Sequence, residues 1–427
     1  MTFHGVTFYG LFDVGAIHET HGATYDSNSP QIGVEDPISK NSNHALTHYS
    51  EDGLGQSNLG LKGREHLFDR VSLIFKLEPG VELLDMKFTN SIQSLVNNNG
   101  VALADQSTNF DTNRSGRVDN GDAFWGFSVE GERKSASLVY GRVVAPMAEN
   151  TTKYDFEPGS YAFSLVAYVT QVDGGGDSED FRLDSALKFS GQLGRNRIEL
   201  LDQIAGHDPV FQPDGVYGSN RQISLGHDFR RLSMDVTYAR VHDGIASASL
   251  SAAQMLTVPT NSLAGTISDN TAYAVMGKYS VDHTGRLKLY GAYDHMLYAN
   301  PVHPLTPGIT TIGGYELSIL TQTAYTTHKM VNAFWGGARY DLTPRLNLSG
   351  GYYTMRQNSY SGNGCSNNSA AQCSGNIQVV SEVAAYKLSK RWDVYGGDEW
   401  SHVMNGYSSG YMYRTNVNET IGGRFHF

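Results

Sequence analysis

Cysteine is nearly absent from this chain. There are two in 427 residues, Cys365 and Cys373, both within the polar stretch Ser361 to Ser374. Two cysteines exclude a scaffold built on disulfides, and with no His or further Cys beside them they do not suggest a metal site. A close pair among turn-forming residues reads as a disulfide in an oxidising compartment, with two free thiols as the alternative. Long apolar runs are missing too. A long uncharged run, Gly244 to Ser268, is crowded with Ser, Thr and Ala and contains Pro259. No stretch supplies the ~20 apolar residues of a membrane-spanning helix. Basic residues are outnumbered, 32 Lys+Arg against 43 Asp+Glu, and the net charge of -11 argues against a nucleic-acid partner. No secretory signal precedes the first strand pattern, which begins almost at Met1-Thr2; this reads as mature numbering with an added initiator Met, against a cytoplasmic protein as the alternative.

Catalytic signatures are also lacking. There is no Gly-x-Ser-x-Gly elbow and no His-Glu-x-x-His helix, and many of the 15 His residues, among them His18, His21, His44, His48, His283 and His303, fall in apparent loops or turns. Asp173-Gly174-Gly175-Gly176-Asp177 is no phosphate cradle, because no helix with a Lys follows it. It reads as a flexible turn, with a calcium-binding turn as the alternative. No metal site emerges by spacing, and no cofactor is implied.

What the chain has in abundance is alternation of period two. In Val6 to Ala16, Val6, Phe8, Phe12 and Val14 share one face while Thr7, Tyr9 and Asp13 share the other, with Leu11 as the exception. In Arg70 to Glu78, Val71, Leu73, Phe75 and Leu77 face opposite Ser72, Lys76 and Glu78. Hairpins recur through short, mostly polar turns at Glu65–Asp69, Asp228–Arg231, Asp282–Gly285, Asp341–Pro344 and Leu388–Lys390. Connections at the other end are long, beginning with the polar stretch His18 to Gln56. Short turns at one end and long loops at the other describe a transmembrane β-barrel, and Tyr and Trp near strand ends suit its interfacial girdles. The mean hydropathy of -0.35 agrees, because lumen-facing polar residues offset lipid-facing apolar ones. The spacing accommodates about 16 antiparallel strands in one domain, 1–427. A soluble sandwich with the oily side in a core remains the alternative.

The chain ends Gly422-Gly423-Arg424-Phe425-His426-Phe427. This closing strand, together with Asn58 to Gly63, Leu73 to Glu78, Tyr140-Gly141-Arg142 and Ala384 to Arg391 in that order, resembles the general trimeric porins of Gram-negative outer membranes, of the neisserial and burkholderial kind. His18–Gln56, Pro79–Asp122 and Val143–Asp180 are longer than is usual there. The resemblance implies a homotrimer in the outer membrane, in contact with lipid and lipopolysaccharide. Phe427 and Phe425 would be read by the barrel-assembly machinery. Each chain would form a water-filled pore for passive diffusion of small hydrophilic solutes and ions, without catalysis.

By the same resemblance, Lys62, Arg64, Lys76, Arg142, Arg182 and Lys188 form a basic ladder on the pore wall, with Tyr140 as a wall aromatic. The segment of about 143–180 folds inward as a constriction loop carrying Glu149, Asp155 and Glu157. Acids facing bases across a narrow slot would set a transverse field that filters by size and charge. The sign of ion preference stays open. A substrate-selective channel and a barrel hydrolase are the alternatives.

Overall fold

The structure is a computed structural model and describes residues 2–3, 5–22, 45–84, 86–88, 121–166, 182–203, 219–247, 263–304, 311–312, 315–360, 365, 370–408 and 413–427. Sixteen antiparallel strands form its wall: β1 (Val6–Glu19), β2 (Asn58–Phe68), β3 (Val71–Leu77), β4 (Ala123–Gly131), β5 (Lys134–Val144), β6 (Arg182–Leu193), β7 (Asn196–Gln203) and β8 (Ser219–Asp228), then β9 (Leu232–Ser247), β10 (Leu263–Ser280), β11 (Leu287–Ala299), β12 (Lys329–Asp341), β13 (Leu346–Gln357), β14 (Gly375–Lys387), β15 (Trp392–Asn405) and β16 (Thr415–His426). Each pairs with its neighbour in sequence, and β16 pairs back to β1 from Leu11↔His426 to Glu19↔Asn418. The sheet is closed, so its wall leaves no strand edge unpaired, as hydrocarbon requires.

The alternation of the sequence becomes two faces. On β4, Trp125, Phe127 and Val129 are 55%, 45% and 45% exposed, while Gly126 and Ser128 between them are buried. The outer face carries large apolar side chains on strand after strand, which is the arrangement of a barrel in lipid. Trp392, Phe425, Phe8, Phe12 and Phe427 cluster at the short-turn rim, with ring centroids 4.7–5.7 Å apart.

Two features differ from the sequence reading. First, β1 runs on to Glu19, and its second half pairs with a strand Leu46–Glu51 inside the stretch expected to be a polar loop. That strand has too few apolar residues to alternate visibly. Second, the inner face is not uniformly polar. Ala272, Ala274, Met276, Ala333, Trp335 and Val379 are buried on the inside of β10, β12 and β14. They are covered from within by the connection after β5, whose helix α1 (Pro146–Tyr154) lies against β8, β9 and β10.

Candidate functional site

The inward connection is fixed to the wall along its described length, residues 145–166. Helix α1 starts at Pro146, which suits a first helical position. Ala145 provides no side-chain cap. The wall supplies one instead: Met147 N donates to Gln222 Oε1 at 2.8 Å, satisfying an N–H that the helix leaves open. Asn150 donates to Ser224 at 2.8 Å and Thr237 at 3.1 Å. At the other end Lys153 and Arg197 reach Asp235 at 2.7 and 3.0 Å, and Tyr154 donates to the same carboxylate. The Trp335 indole donates to Tyr154 O at 3.1 Å.

Beyond the helix the chain continues around the wall. Phe156 stacks on Tyr353 with centroids 4.6 Å apart. Asp155 accepts from Tyr353 at 2.6 Å and from Ser164. Ser160 and Ala162 N donate to Gly53 O at 2.6 and 3.1 Å, and Phe163 meets Tyr395 on β15. Gly53 is held in turn beside Asp13, whose carboxylate accepts from Leu54 N, Gly55 N and Tyr395 at 2.8, 3.0 and 2.7 Å. The described part of the connection thus leaves β5, follows the inner wall of β8 to β15 and reaches Gly53 beside β1. The inner faces of β2 and β3 lie opposite this cover.

The expected site residues separate into groups. Lys62 is exposed on the inner face, its ammonium 4.8 Å from the Tyr9 ring. Lys76 pairs with Glu78 at 3.0 Å and Asp122 at 2.6 Å, and Arg182 pairs with the same two acids at 3.8 and 2.9 Å. Tyr9 donates to Glu78 at 2.5 Å and completes that cluster. Arg64 pairs with Glu130 near a turn. Lys188, buried, pairs with Glu149. Arg142 is buried beside Gly141, which has φ +140°, opposite Ala123.

Three expectations need correction. Tyr140 is no wall aromatic. It sits in the row of Phe75, Trp125 and Leu187, all exposed on the outer face, while Val139 and Lys188 occupy the inner one. Asp155 and Glu157 do not face the wall bases across a gap, because they are 1% and 2% exposed, turned beneath the connection. Burial pushes both carboxyls up, Glu157 to about 7, against the pull of Ser349 and Arg339 on Glu157. Glu149 is the loop acid with an open side chain, and Lys188 already holds it. Residues 167–180 of the expected loop, and the glycine-rich turn at 173–177, lie outside the described residues.

The sequence reading overlooked bases on the other wall. Lys278, Lys288 and Arg339 share the inner face with Met276, Tyr290 and Trp335, and Lys288 and Arg339 are direct cross-strand partners. With Lys62 they form no ion pair among the described residues, and Lys288 and Arg339 set like charges side by side. Their parity was readable locally, since each base alternates with Gly277 and Tyr279, Leu287 and Leu289, or Ala338 and Tyr340. Cys365 and Cys373 are joined by a disulfide, Cα atoms 5.5 Å apart. No group of three or more His, Cys, Asp or Glu among the described residues is placed to hold a metal ion.

No protein-family profile matches the chain, and no curated protein does. Solved structures match over its length. An anion-selective porin from Comamonas acidovorans is 14% identical, with 99% of each chain covered and a TM-score of 0.59. OmpT, an outer membrane protein of Vibrio cholerae, is 13% identical, with 99% of this chain and 97% of that chain covered and a TM-score of 0.59. The outer membrane channel DcaP of Acinetobacter baumannii is 11% identical, with 99% and 97% covered and a TM-score of 0.55. At these identities the likeness is one of fold: a closed sixteen-stranded antiparallel barrel.

Proposed function

We propose that this chain is an outer-membrane porin, a passive channel for small hydrophilic solutes and ions that favours anions. The observation that carries this reading is the connection 145–166, which enters the barrel and is bonded along one side of its inner wall, with Lys62 opposite it on β2 and Lys278, Lys288 and Arg339 beside it on β10, β11 and β12. A plug needs no such one-sided attachment, and a soluble core does not put Trp125, Phe127 and Leu138 outside. Inside a low-dielectric wall, Lys62, Lys278, Lys288 and Arg339 raise the local concentration of anions. The fold neighbours described as porins and channels support the reading, and the Comamonas protein is itself described as anion-selective. The narrower likeness to the neisserial and burkholderial porins rests on the strand motifs alone.

A homotrimer belongs to the same proposal. Vibrio OmpT has a trimer form. On this chain Glu382, Asp398 and Glu419 are cross-strand neighbours on β14, β15 and β16, exposed on the outer face. Carboxylates flanked by Val380 and Ile421 do not suit hydrocarbon, and a neighbouring copy would cover them.

Planar-bilayer conductance tests the channel. The expected result is ohmic steps in threes, with a reversal potential of anion-selective sign in a salt gradient. K278Q/K288Q/R339Q should move that potential toward cations. A silent bilayer overturns the channel; an unmoved potential removes these three bases from the filter.

A further inference from the structure

All seven short turns, each fully described, end on arginine. The residue immediately before the second strand of the hairpin is Arg70, Arg133, Arg195 or Arg231 in the first four and Arg286, Arg345 or Arg391 in the last three. The backbone places them alike. Each arginine's carbonyl accepts the terminal hydrogen bond from the strand that follows its hairpin, at 3.2, 2.7, 2.9, 2.9, 2.9, 2.8 and 2.8 Å in chain order. Any residue could supply that carbonyl, so the ladder does not explain the side chain. Composition does not explain it either, with 32 Lys+Arg among 427 residues and seven arginines at one structural position.

The side chains are available. Those of Arg133, Arg195, Arg345 and Arg391 are exposed and make no hydrogen bond or ion pair among the described residues. Arg231 and Arg286 reach the neighbouring turn, donating to Val281 O at 3.1 Å and Asp341 O at 2.9 Å, and Arg286 also lies over the Tyr340 ring at 5.5 Å. Several acids of the rim are occupied. Asp228 pairs with Arg197 at 2.5 Å, Asp282 accepts from Arg286 N and Leu287 N at 3.0 and 3.2 Å, and Asp341 accepts from Asn347 at 2.9 Å. Glu65, Asp69 and Glu132 remain. A chain of net charge -11 therefore gathers free guanidinium groups on one rim.

Exposed apolar side chains accompany them. Phe68, Leu193, Phe229, Leu342 and Leu388 are 61%, 65%, 53%, 41% and 53% exposed in five of these turns. A large apolar side chain beside an arginine suits the boundary between hydrocarbon and headgroups, and the planar guanidinium matches a phosphate in two-point geometry.

We propose that the short-turn rim is a collar for anionic phospholipid headgroups, in which the turn arginines hold lipid phosphates of the facing leaflet. The collar rests on the membrane reading above. Trp392, 51% exposed and adjacent to Arg391, is a built-in reporter. The experiment uses the full chain with Trp125, Trp335 and Trp400 changed to Phe, reconstituted in phosphatidylcholine vesicles. Brominated phosphatidylglycerol is compared with brominated phosphatidylcholine at equal mole fraction. The anionic lipid should associate about fivefold more strongly, the scale of one basic side chain at an anionic surface. R345Q/R391Q should lose at least half of that preference, while R345K/R391K keeps most of it. Equal quenching by the two lipids in the parent, or an unchanged preference in R345Q/R391Q, overturns the collar while leaving the channel intact. Absence of quenching by either lipid means no insertion and overturns the membrane reading with it.

Discussion

Phe156 has its seat only because residues 337 and 351 are glycine. A Cβ at Gly337 would stand 2.5 Å from its ring, and one at Gly351 would stand 2.7 Å away. The ring is fully buried between β12, β13 and Tyr353, so Phe156→Ala should remove about 3–5 kcal/mol of docking energy from the connection. The wall ladder does not include Phe156. The expected outcome is therefore higher open-channel noise or conductance, with the heat stability of the barrel nearly unchanged; a lost barrel would place Phe156 in the frame instead of the filter. Glu157 makes docking depend on pH. Its usual value of 4.5 applies when the loop is undocked and solvated, whereas burial raises it to about 7 in the docked state. Between those values the docked state binds the additional proton, so docking is favoured at low pH and weakens as pH rises from 4.5 to 7. At about 1.4 kcal/mol per unit the span is worth on the order of 3 kcal/mol. Noise should grow from pH 5 to pH 8 in the wild type and grow less steeply in Glu157→Gln, which keeps the buried Asp155 whose carboxyl burial also pushes up. A wild type whose noise falls over that range would refute the assignment.

At the scale of the element, the disulfide Cys365–Cys373 closes a small loop between β13 and β14. Gln357 donates to Cys373 O at 2.7 Å and Gly406 N to Ser374 O at 3.0 Å, so the loop base is fixed by hydrogen bonds as well. Reduction should open the loop tip to protease and leave both conductance and heat stability as they were, as a gel of digested folded barrel would show. How much was legible follows from the same local logic. Hairpins such as Tyr340 through Pro344 to Leu348 were readable because polar turn and period two agree. The inner wall of β10 was not, because Ala272, Ala274 and Met276 are as apolar as Tyr273 and Val275 facing lipid. From Ala272 to Met276 both faces of that strand are dry, one against hydrocarbon and one against the inward connection. For the same reason Asp155 and Glu157 could be read as loop acids but not as buried ones. Burial depends on where residues more than a hundred positions away have placed Tyr353, Gly337 and Gly351. Tyr140 misled because it shares parity with Arg142, and the backbone leaves regular strand geometry between them at Gly141.

The whole molecule depends on its seam and on what covers it. Gly10 and Phe427 exchange both backbone hydrogen bonds at 3.2 Å, and the Phe427 ring lies where a side chain on residue 10 would have to go. Phe427→Ala removes ring contacts with Phe8 and Phe12 but no rung of the ladder, so it should slow assembly more than it lowers the melting temperature of barrels that do form. Beside this seam stand Glu382, Asp398 and Glu419 on the outer face, next to one another across three strands. Like charges directly opposite repel, and in an isolated chain hydrocarbon would add a desolvation cost. A trimer that covers the row relieves a penalty that the monomer carries, so the row itself favours assembly. Neutralising it in E382Q/D398N/E419Q should therefore stabilise the monomer, and trimers on a semi-native gel should separate at a lower temperature than in the wild type. If the triple variant instead holds its trimer to the same or a higher temperature, the row faces something other than a second copy, and the subunit contact must lie on another part of the wall.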